Sequence, residues 1–210
     1  MQFYDITMPI SKNIMVYKNK EDKRPVFESI KGSTQETKMT INLHTGTHID
    51  FPIHVFADGK TSSGFSLDSL ITNVKVLDLT NIIDEITSKD LENFNINQAD
   101  FILLKTTNSF KKEFDFNFVF LSISGAKYLT SKCVKGVGID ALGIERNQAD
   151  HITHKELFNN NVIIMEGVNL SNVPSGEYKM IAMPMKIENV DALPVSAILI
   201  KNFPIENQVK

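Results

Sequence analysis

The sequence predicts one domain of mixed α/β or α+β architecture, and three observations lead to that class. In the second half of the chain, short apolar runs alternate with helix-like segments, an order typical of a sheet covered by helices. The first 70 residues are instead rich in short strands and loops. A length of 210 residues suffices for one hydrophobic core, so we expect a single domain over residues 1–210.

Six segments predict strands, because each is a run of apolar and β-branched residues between turn-forming residues. The predicted strands span residues 73–79, 101–105, 134–139, 162–165, 178–183 and 196–200. Helices are predicted over 122–132, with Ser122 as the N-cap, and over 149–158, where an asparagine run follows. A short helix is expected near residues 89–94.

Charge and composition give no support to nucleic-acid or membrane binding. The formal net charge is −3 and the pI is about 6.0, so no basic surface for phosphate groups is indicated. No segment approaches the roughly 18 uninterrupted apolar residues of a membrane span, and residues 1–5 lack the features of a secretory signal. Cys133 is the single cysteine, which fits a reducing compartment. We expect a cytoplasmic protein in which Cys133 packs between a helix and a strand.

Residues 44–54, with the sequence HTGTHIDFPIH, are the most informative segment of the chain. They hold three of the five histidines, with an aspartate between them. On an extended chain the even-numbered side chains point to one face, and that face would carry His44, His48, Asp50 and His54. Buried polar groups without partners are costly, so this pattern indicates a metal-binding or proton-transfer site. The alternative is a polar loop with chance histidines, and the scarcity of histidine weighs against it.

A shared ion requires a bend between His44 and His48. Four residues apart on an extended strand, their α-carbons would lie roughly 13 Å apart, too far for two imidazoles on one ion. Gly46 lies midway and permits such a bend. A helix would also pair the two rings, but the threonines, Gly46 and Pro52 disfavour one. We therefore predict a bent strand that runs into a loop.

Further ligands must come from elsewhere, since His44, His48 and Asp50 leave coordination positions open. The remaining histidines, His151 and His154, are three residues apart in a predicted helix and can share a face. Glu166 follows the apolar run 162–165, where a strand can aim a carboxylate into a site. The residue pattern alone equally allows both histidines and the glutamate to lie in water.

The segment around Asp50 resembles the cyclase family of metal-dependent hydrolases, which includes the bacterial kynurenine formamidases. The downstream segments 138–140 and 166–170, and the spacing from His154 to Glu166, are also similar to that family. Segments 5–7 and 191–195 extend the similarity over nearly the whole chain. The chain departs from the family pattern at residues 17–25 and at Gly143, which leaves the substrate open.

The resemblance implies a dinuclear centre and a separate proton-transfer residue. In the family, the positions of His44, His48 and Asp50 hold one metal, and Asp50 bridges to a second metal completed by His154 and Glu166. The position of His54 is the catalytic acid/base. The implied cofactors are two divalent ions, Zn²⁺ in the simplest case, with Mn²⁺ also compatible with imidazole and carboxylate ligands. His151 has no role implied by the family.

The resemblance also implies a swivelling β/β/α-type domain with a mixed sheet and flanking helices, assembled as a homodimer or homotetramer. The implied reaction is hydrolysis of a C–N bond in a small amide, formamide or cyclic amide, with N-formylkynurenine as the leading example. A cyclase or dehydratase acting on a small carbonyl compound, and a non-catalytic binding protein, are the alternatives. Loop 59–64 is expected to border the pocket, and its nearest phenylalanines are Phe51, Phe56 and Phe65.

Overall fold

A computed structural model describes residues 1–203 and shows a large mixed β-sheet flanked by short helices. The strands are β1 Gln2–Asp5, β2 Val26–Lys31, β3 Gln35–Thr40, β4 His48–Asp50, β5 Ile71–Asp78, β6 Glu85–Ile86, β7 Phe101–Lys105, β8 Phe120–Leu121, β9 Gly136–Ile139, β10 Ile163–Glu166, β11 Gly176–Pro184 and β12 Ala192–Lys201. The α-helices are α1 Ser88–Leu91, α2 Ile123–Ser131 and α3 Ile152–Asn159. None of the helices in this described part is long and apolar enough to cross a membrane.

The main sheet closes on itself like a barrel. Its eight strands follow the order β1-β12-β11-β5-β7-β9-β10-β4, and β4 also pairs with β12. Strands β5, β7, β9 and β10 run parallel to their neighbours in that group, and the other pairings are antiparallel. The connections between the parallel strands contain α1, α2 and α3 in turn, as parallel pairing requires. The predicted mixed α/β domain with a mixed sheet is therefore confirmed.

Burial on both faces explains why the parallel strands are continuous apolar runs. In β7, Phe101 and Leu103 face the core inside the closed sheet. Ile102 and Leu104 face the opposite side, where they join the core under the helices. Such strands are predictable from sequence, and β7 has the predicted bounds while β5, β9, β10, β11 and β12 overlap their predicted segments.

The helices match the sequence prediction where capping residues are present. Ser122 is the N-cap of α2, and its hydroxyl accepts a hydrogen bond from the amide of Gly125. The segment near residue 90 forms only the four-residue α1. The predicted helix 149–158 is divided, because Asp150 and His151 have left-handed φ angles of 58° and 52° and α3 begins after them. His151 therefore precedes the helix that holds His154.

Two expectations are corrected by the structure. Cys133 is exposed and has a φ of 53°, so it ends α2 in a left-handed conformation and does not pack between elements. The segment from His44 is a turn, followed by the short strand β4 and a 3₁₀ turn over Pro52–His54, so only three of its residues form a strand. The hairpin of β2 and β3, which the apolar pattern does not predict, forms a separate two-stranded sheet.

Candidate metal centre

The expected bend between His44 and His48 is present at Gly46. Gly46 has a φ of +69°, a conformation that glycine adopts without the steric penalty of a side chain. The bend brings Nδ1 of His44 to 3.2 Å from Nε2 of His48. Asp50 lies two residues beyond His48 on β4, on the same face, and its Oδ1 is 3.0 Å from His44 Nδ1. The first three predicted ligands therefore converge on one point.

The closed sheet brings the second group of residues to the same point. Strand β10 pairs with β4 so that Glu166 lies opposite His48, and their side chains approach to 3.4 Å. Helix α3 places Nε2 of His154 3.4 Å from Glu166 and 3.5 Å from Oδ2 of Asp50. Asp50 thus stands between the two groups, with one oxygen directed to each.

The chemistry of this cluster fits divalent cations. His48, Asp50, His154 and Glu166 are each no more than 4% exposed, so water does not solvate them freely. Within residues 1–203, neither carboxylate oxygen of Asp50 has a hydrogen-bond partner, despite ring nitrogens within 3.5 Å. A buried carboxylate with two free oxygens is costly unless a cation binds it. Imidazole and carboxylate ligands without a thiolate suit Zn²⁺ or Mn²⁺.

Each candidate imidazole ligand has an outer neighbour on its far side. Nε2 of His44 is 2.9 Å from Asp191, and Nδ1 of His48 is 2.9 Å from the carbonyl oxygen of Gly46. Nδ1 of His154 lies 3.0 Å from the carboxylate of Glu145. Metal-binding histidines usually have such a partner, which orients the ring and leaves the inner nitrogen free for the ion.

In the absence of a metal ion, the buried imidazoles of the cluster favour their protonated forms. Burial alone lowers the pKa of His48, but the adjacent carboxylates of Asp50 and Glu166 outweigh burial and raise this pKa to about 10. Burial likewise opposes protonation of His154, yet Asp50, Glu145 and Glu166 raise its pKa well above the usual value. The pKa of Asp50 is lowered, because the surrounding imidazoles outweigh its burial. Protons therefore supply the positive charge that ions would supply.

His54 lies beside the cluster and differs from the other rings in its surroundings. The turn after β4 places its ring 4.2 Å from the ring of His44 and 5.7 Å from that of His154, measured between centroids. Its side chain is 31% exposed, and its Nδ1 is 3.8 Å from Asp191. Burial lowers the pKa of His54 below its usual value, so the ring is neutral near pH 7 and can accept a proton.

Comparison with known proteins now identifies the family. Residues 4–146, more than half of the chain, match the family model named Cyclase. The chain belongs to the Cyclase family. A kynurenine formamidase from Bacillus cereus is 30% identical over 205 residues, covering 94% of this chain and 97% of the relative. The family model ends at residue 146, before His154 and Glu166. The alignment with the kynurenine formamidase extends beyond that point.

Solved structures of Cyclase-like proteins share this fold. One described as a "potential metal-dependent hydrolase with cyclase activity" has 44% identity and a TM-score of 0.90, covering 94% of this chain and 96% of its own. A "predicted metal-dependent hydrolase" from Bacillus stearothermophilus has 45% identity and a TM-score of 0.87, covering 94% and 97%. An isatin hydrolase with 20% identity and a TM-score of 0.79 shares the fold. These findings confirm the prediction of a metal-dependent hydrolase of this family.

One segment that carries the Cyclase resemblance has a structural role in this chain. Asp140, in the segment 138–140, accepts hydrogen bonds from the amides and hydroxyls of Thr106 and Ser109 and so holds the loop after β7. Loop 59–64 borders an open cleft of about 590 Å³ lined in part by Phe51 and Phe65. Phe56 instead packs against the core under the helices. The cleft lining contains none of the six predicted site residues.

Sequence reasoning missed two residues of the centre. Glu145 lies on the loop before α3 with no neighbouring motif, so nothing in the sequence signals its contact with His154. Asp191 belongs to a segment that carries the family resemblance, but only the sheet closure between β4 and β12 shows that it faces His44. The sequence assigns no role to His151, whose Nδ1 lies 2.7 Å from Glu145.

Proposed function

We propose that this protein is a metal-dependent amidohydrolase that cleaves a C–N bond in a small formamide or amide. The observation that carries the proposal is a largely buried cluster of three imidazoles and two carboxylates. One of these carboxylates is Asp50, whose oxygens have no hydrogen-bond partner within residues 1–203. A neutral histidine, His54, stands at the edge of this centre. Metal-binding side chains and an adjacent base that can take a proton from water are the minimum set of groups for metal-dependent hydrolysis.

We assign the ligands by the two faces of Asp50. His44, His48 and Asp50 would hold a first ion, because their atoms approach one another within 3.3 Å. Asp50, His154 and Glu166 would hold a second ion on the other side. Bound divalent ions supply Lewis acidity and lower the pKa of coordinated water. Zn²⁺ is our first choice and Mn²⁺ the second.

His54 acts in this proposal as the acid/base. Its lowered pKa leaves the ring unprotonated near neutral pH, so it can take a proton from the attacking water. The same ring can then give that proton to the leaving nitrogen, which balances the cleavage: the carbonyl carbon gains OH and the nitrogen gains H. Asp191 lies near both His44 and His54 and is placed to orient the two rings together.

The similarity to kynurenine formamidase favours N-formylkynurenine or another N-aryl formamide as the substrate. The cyclase activity ascribed to a 44% identical structure supports a second candidate, ring closure or dehydration of a small carbonyl compound. Both reactions need a polarised carbonyl and a base. Assembly into a homodimer or homotetramer and a cytoplasmic location stay predictions from the sequence.

The experiment combines elemental analysis with a substrate screen on protein purified without chelator. We expect about two divalent ions per chain and hydrolysis of N-formylkynurenine that stops on chelation and returns with Zn²⁺ or Mn²⁺. One ion per chain would restrict the site to a mononuclear centre. Turnover of hydroxy-ketones alone would favour the cyclase candidate, and no bound metal after Zn²⁺ or Mn²⁺ addition would sink the proposal.

Variants test the second ion directly. Glu166→Ala removes a carboxylate from one side of Asp50, so we expect it to keep about one ion per chain and to lose turnover. Glu36→Ala, at an exposed position on β3, is the matched control and should keep both ions. If Glu166→Ala still binds two ions, the second site is misassigned.

A further inference from the structure

A third histidine completes a triangle of rings beside the centre. The ring of His151 lies 6.4 Å from that of His54 and 5.9 Å from that of His154, between centroids. The side chain is 61% exposed, whereas the His154 side chain is 6% exposed. His151 therefore stands beside the candidate centre with most of its side chain open to solvent.

The backbone that carries His151 is strained. Asp150 and His151 both have left-handed conformations, with φ angles of 58° and 52°. Residues with a β-carbon adopt this region at an energetic penalty, which persists only where the surroundings enforce it. Helix capping does not account for it, because His151 is the N-cap of α3 but its side chain makes no capping hydrogen bond.

The partner of His151 is a buried carboxylate. Glu145 is 6% exposed, and its Oε1 lies 2.7 Å from Nδ1 of His151. Its Oε2 accepts a hydrogen bond from the amide of Thr153, so the carboxylate is held at both ends. The same Oε1 lies 3.0 Å from Nδ1 of His154. Glu145 therefore fixes the position of the exposed His151 ring relative to His154, a candidate metal ligand.

This contact determines which nitrogen of His151 carries the proton. An ionised carboxylate only accepts hydrogen bonds, so Nδ1 of His151 must be the donor to Glu145. In the neutral ring, Nε2 then has a free lone pair and is a hydrogen-bond acceptor. An acceptor beside the centre complements a donor on the substrate, and a secondary amide has one such donor, its N–H.

We propose that His151 is a substrate-binding residue whose Nε2 accepts a hydrogen bond from the N–H of the scissile amide, with Glu145 as its positioning residue. The inference rests on the proposed function, which it deepens by naming secondary amides as the preferred class. A separation of 6.4 Å between the His54 and His151 rings leaves room for one nitrogen atom hydrogen-bonded to both, at about 2.9 Å each. His54 would protonate this nitrogen while His151 orients it.

The test compares two substrates that differ in one N–H. Formanilide has the N–H and N-methylformanilide lacks it. The variant His151→Asn keeps a residue that tolerates the left-handed backbone but removes the ring. We expect kcat/KM for formanilide to fall about tenfold, the value of one hydrogen bond, and that for N-methylformanilide to change less than about twofold. Asp150→Asn, which has the same backbone conformation, is the control and should leave both values unchanged.

Equal losses of kcat/KM for the two substrates would overturn the proposal, because a merely structural role of His151 would not distinguish between them. An unchanged kcat/KM for both substrates would also overturn it. The longer side chain of His151→Gln can carry its acceptor oxygen to about the position of Nε2, which the shorter side chain of His151→Asn does not reach. His151→Gln should therefore recover part of the preference for formanilide, and it provides a second variant if His151→Asn does not fold.

A binding measurement separates this inference from the proposed function. We would use a phenyl dimethylurea that keeps one N–H and its fully N-methylated derivative, both stable to hydrolysis, with the metal-loaded protein. Tighter binding of the N–H compound by the wild type, lost in His151→Asn, would support His151 even if no amide is hydrolysed. Equal binding of the two ureas by the wild type would overturn the role of His151 whatever the outcome of the hydrolysis assays.

Discussion

The imidazoles around Asp50 must lose protons before they can bind a metal. In the metal-free protein the pKa of His48 is about 10 and that of His154 is raised well above its usual value, because carboxylates outweigh the effect of burial. Both rings are therefore protonated near pH 7, whereas a ligating imidazole is neutral. Binding of a metal by these candidate ligands would therefore release protons.

We predict that metal affinity rises as the pH increases from about 6 towards 10, the range over which the raised pKa of His48 keeps that ring protonated. Calorimetric titration of metal-free protein with Zn²⁺ at pH 7, in buffers of different ionisation enthalpy, should show release of about one proton or more per chain. Affinity that does not change with pH, together with no proton release, would contradict this linkage.

His54 is expected to take part in proton transfer without binding a metal. Its ring is adjacent to the centre, but the first ion is assigned to His44, His48 and Asp50, so His54→Asn should leave the metal content unchanged. Loss of the acid/base should lower kcat by about 10²–10⁴-fold. The measurement pairs elemental analysis with steady-state kinetics on N-formylkynurenine. Retained turnover would remove His54 from the mechanism, and lost metal would make it a ligand.

Asp191 contacts the outer nitrogen of His44. It lies 2.9 Å from Nε2 of His44 and so fixes the ring nitrogen that faces Asp50. Asp191→Asn keeps the shape of the side chain but weakens this contact, and we expect metal affinity to fall about 10–100-fold. Titration with a competing chelator measures the change. An unaltered affinity would mean that solvent replaces Asp191, whose side chain is 47% exposed.

Helices and strands that depend on a local residue pattern are predictable from the sequence. Strand β7 is a fully buried apolar run, and α2 begins at a serine cap, so both are recognisable without tertiary information. Residues 44–54 hold four site residues close together in the chain and are recognisable for the same reason. Glu145 and Asp191 are not, because their neighbours in space come from other elements. The left-handed backbone at Asp150 likewise has no local signal.

Two turns beside the candidate centre, at Gly46 and Gly167, approach each other closely. A β-carbon on Gly167, which has a φ of +67°, would lie 2.3 Å from the carbonyl oxygen of Gly46. Gly167→Ala should therefore lower the free energy of unfolding by about 2–5 kcal/mol, from backbone strain and overlap, and weaken metal binding. Gly64 has a φ of +77° but nothing within 4 Å of its β-carbon position.

Gly64→Ala is therefore the matched control, because it has the backbone penalty without the overlap, and it should cost about 1 kcal/mol. Urea denaturation of both variants measures the difference. Equal stability losses would show that the approach of residues 46 and 167 adjusts without strain, and that the centre does not depend on it.

Closure of the main sheet brings the residues of the candidate site together. Strand β4 pairs with both β10 and β12, so segments that are distant in sequence meet beside His48. Neither composition nor periodicity implies this closure, because strand order is not encoded in a local pattern. The family resemblance implies a mixed sheet with flanking helices but does not specify how the sheet closes. This explains why the six apolar strands were predictable and the closure was not.

The hairpin of β2 and β3 bears on the predicted assembly. It pairs with no other strand of residues 1–203, and Val26 and Ile30 on one of its faces are 53% and 51% exposed. An isolated two-stranded hairpin is marginally stable in water, and apolar residues on it gain stability only when another surface covers them. We predict that this face is covered by a second copy of the chain in a homo-oligomer.

Sedimentation should then show a dimer or tetramer for the wild type and a monomer for the double variant Val26→Lys, Ile30→Lys, because charged side chains oppose burial of this face. Ile83→Lys is the control: Ile83 is 87% exposed and lies outside the hairpin, so this change should leave the assembly intact. A monomeric wild type would make the homo-oligomer prediction wrong. If the double variant is still oligomeric, the interface lies elsewhere, and this face of the hairpin is exposed in the assembled protein.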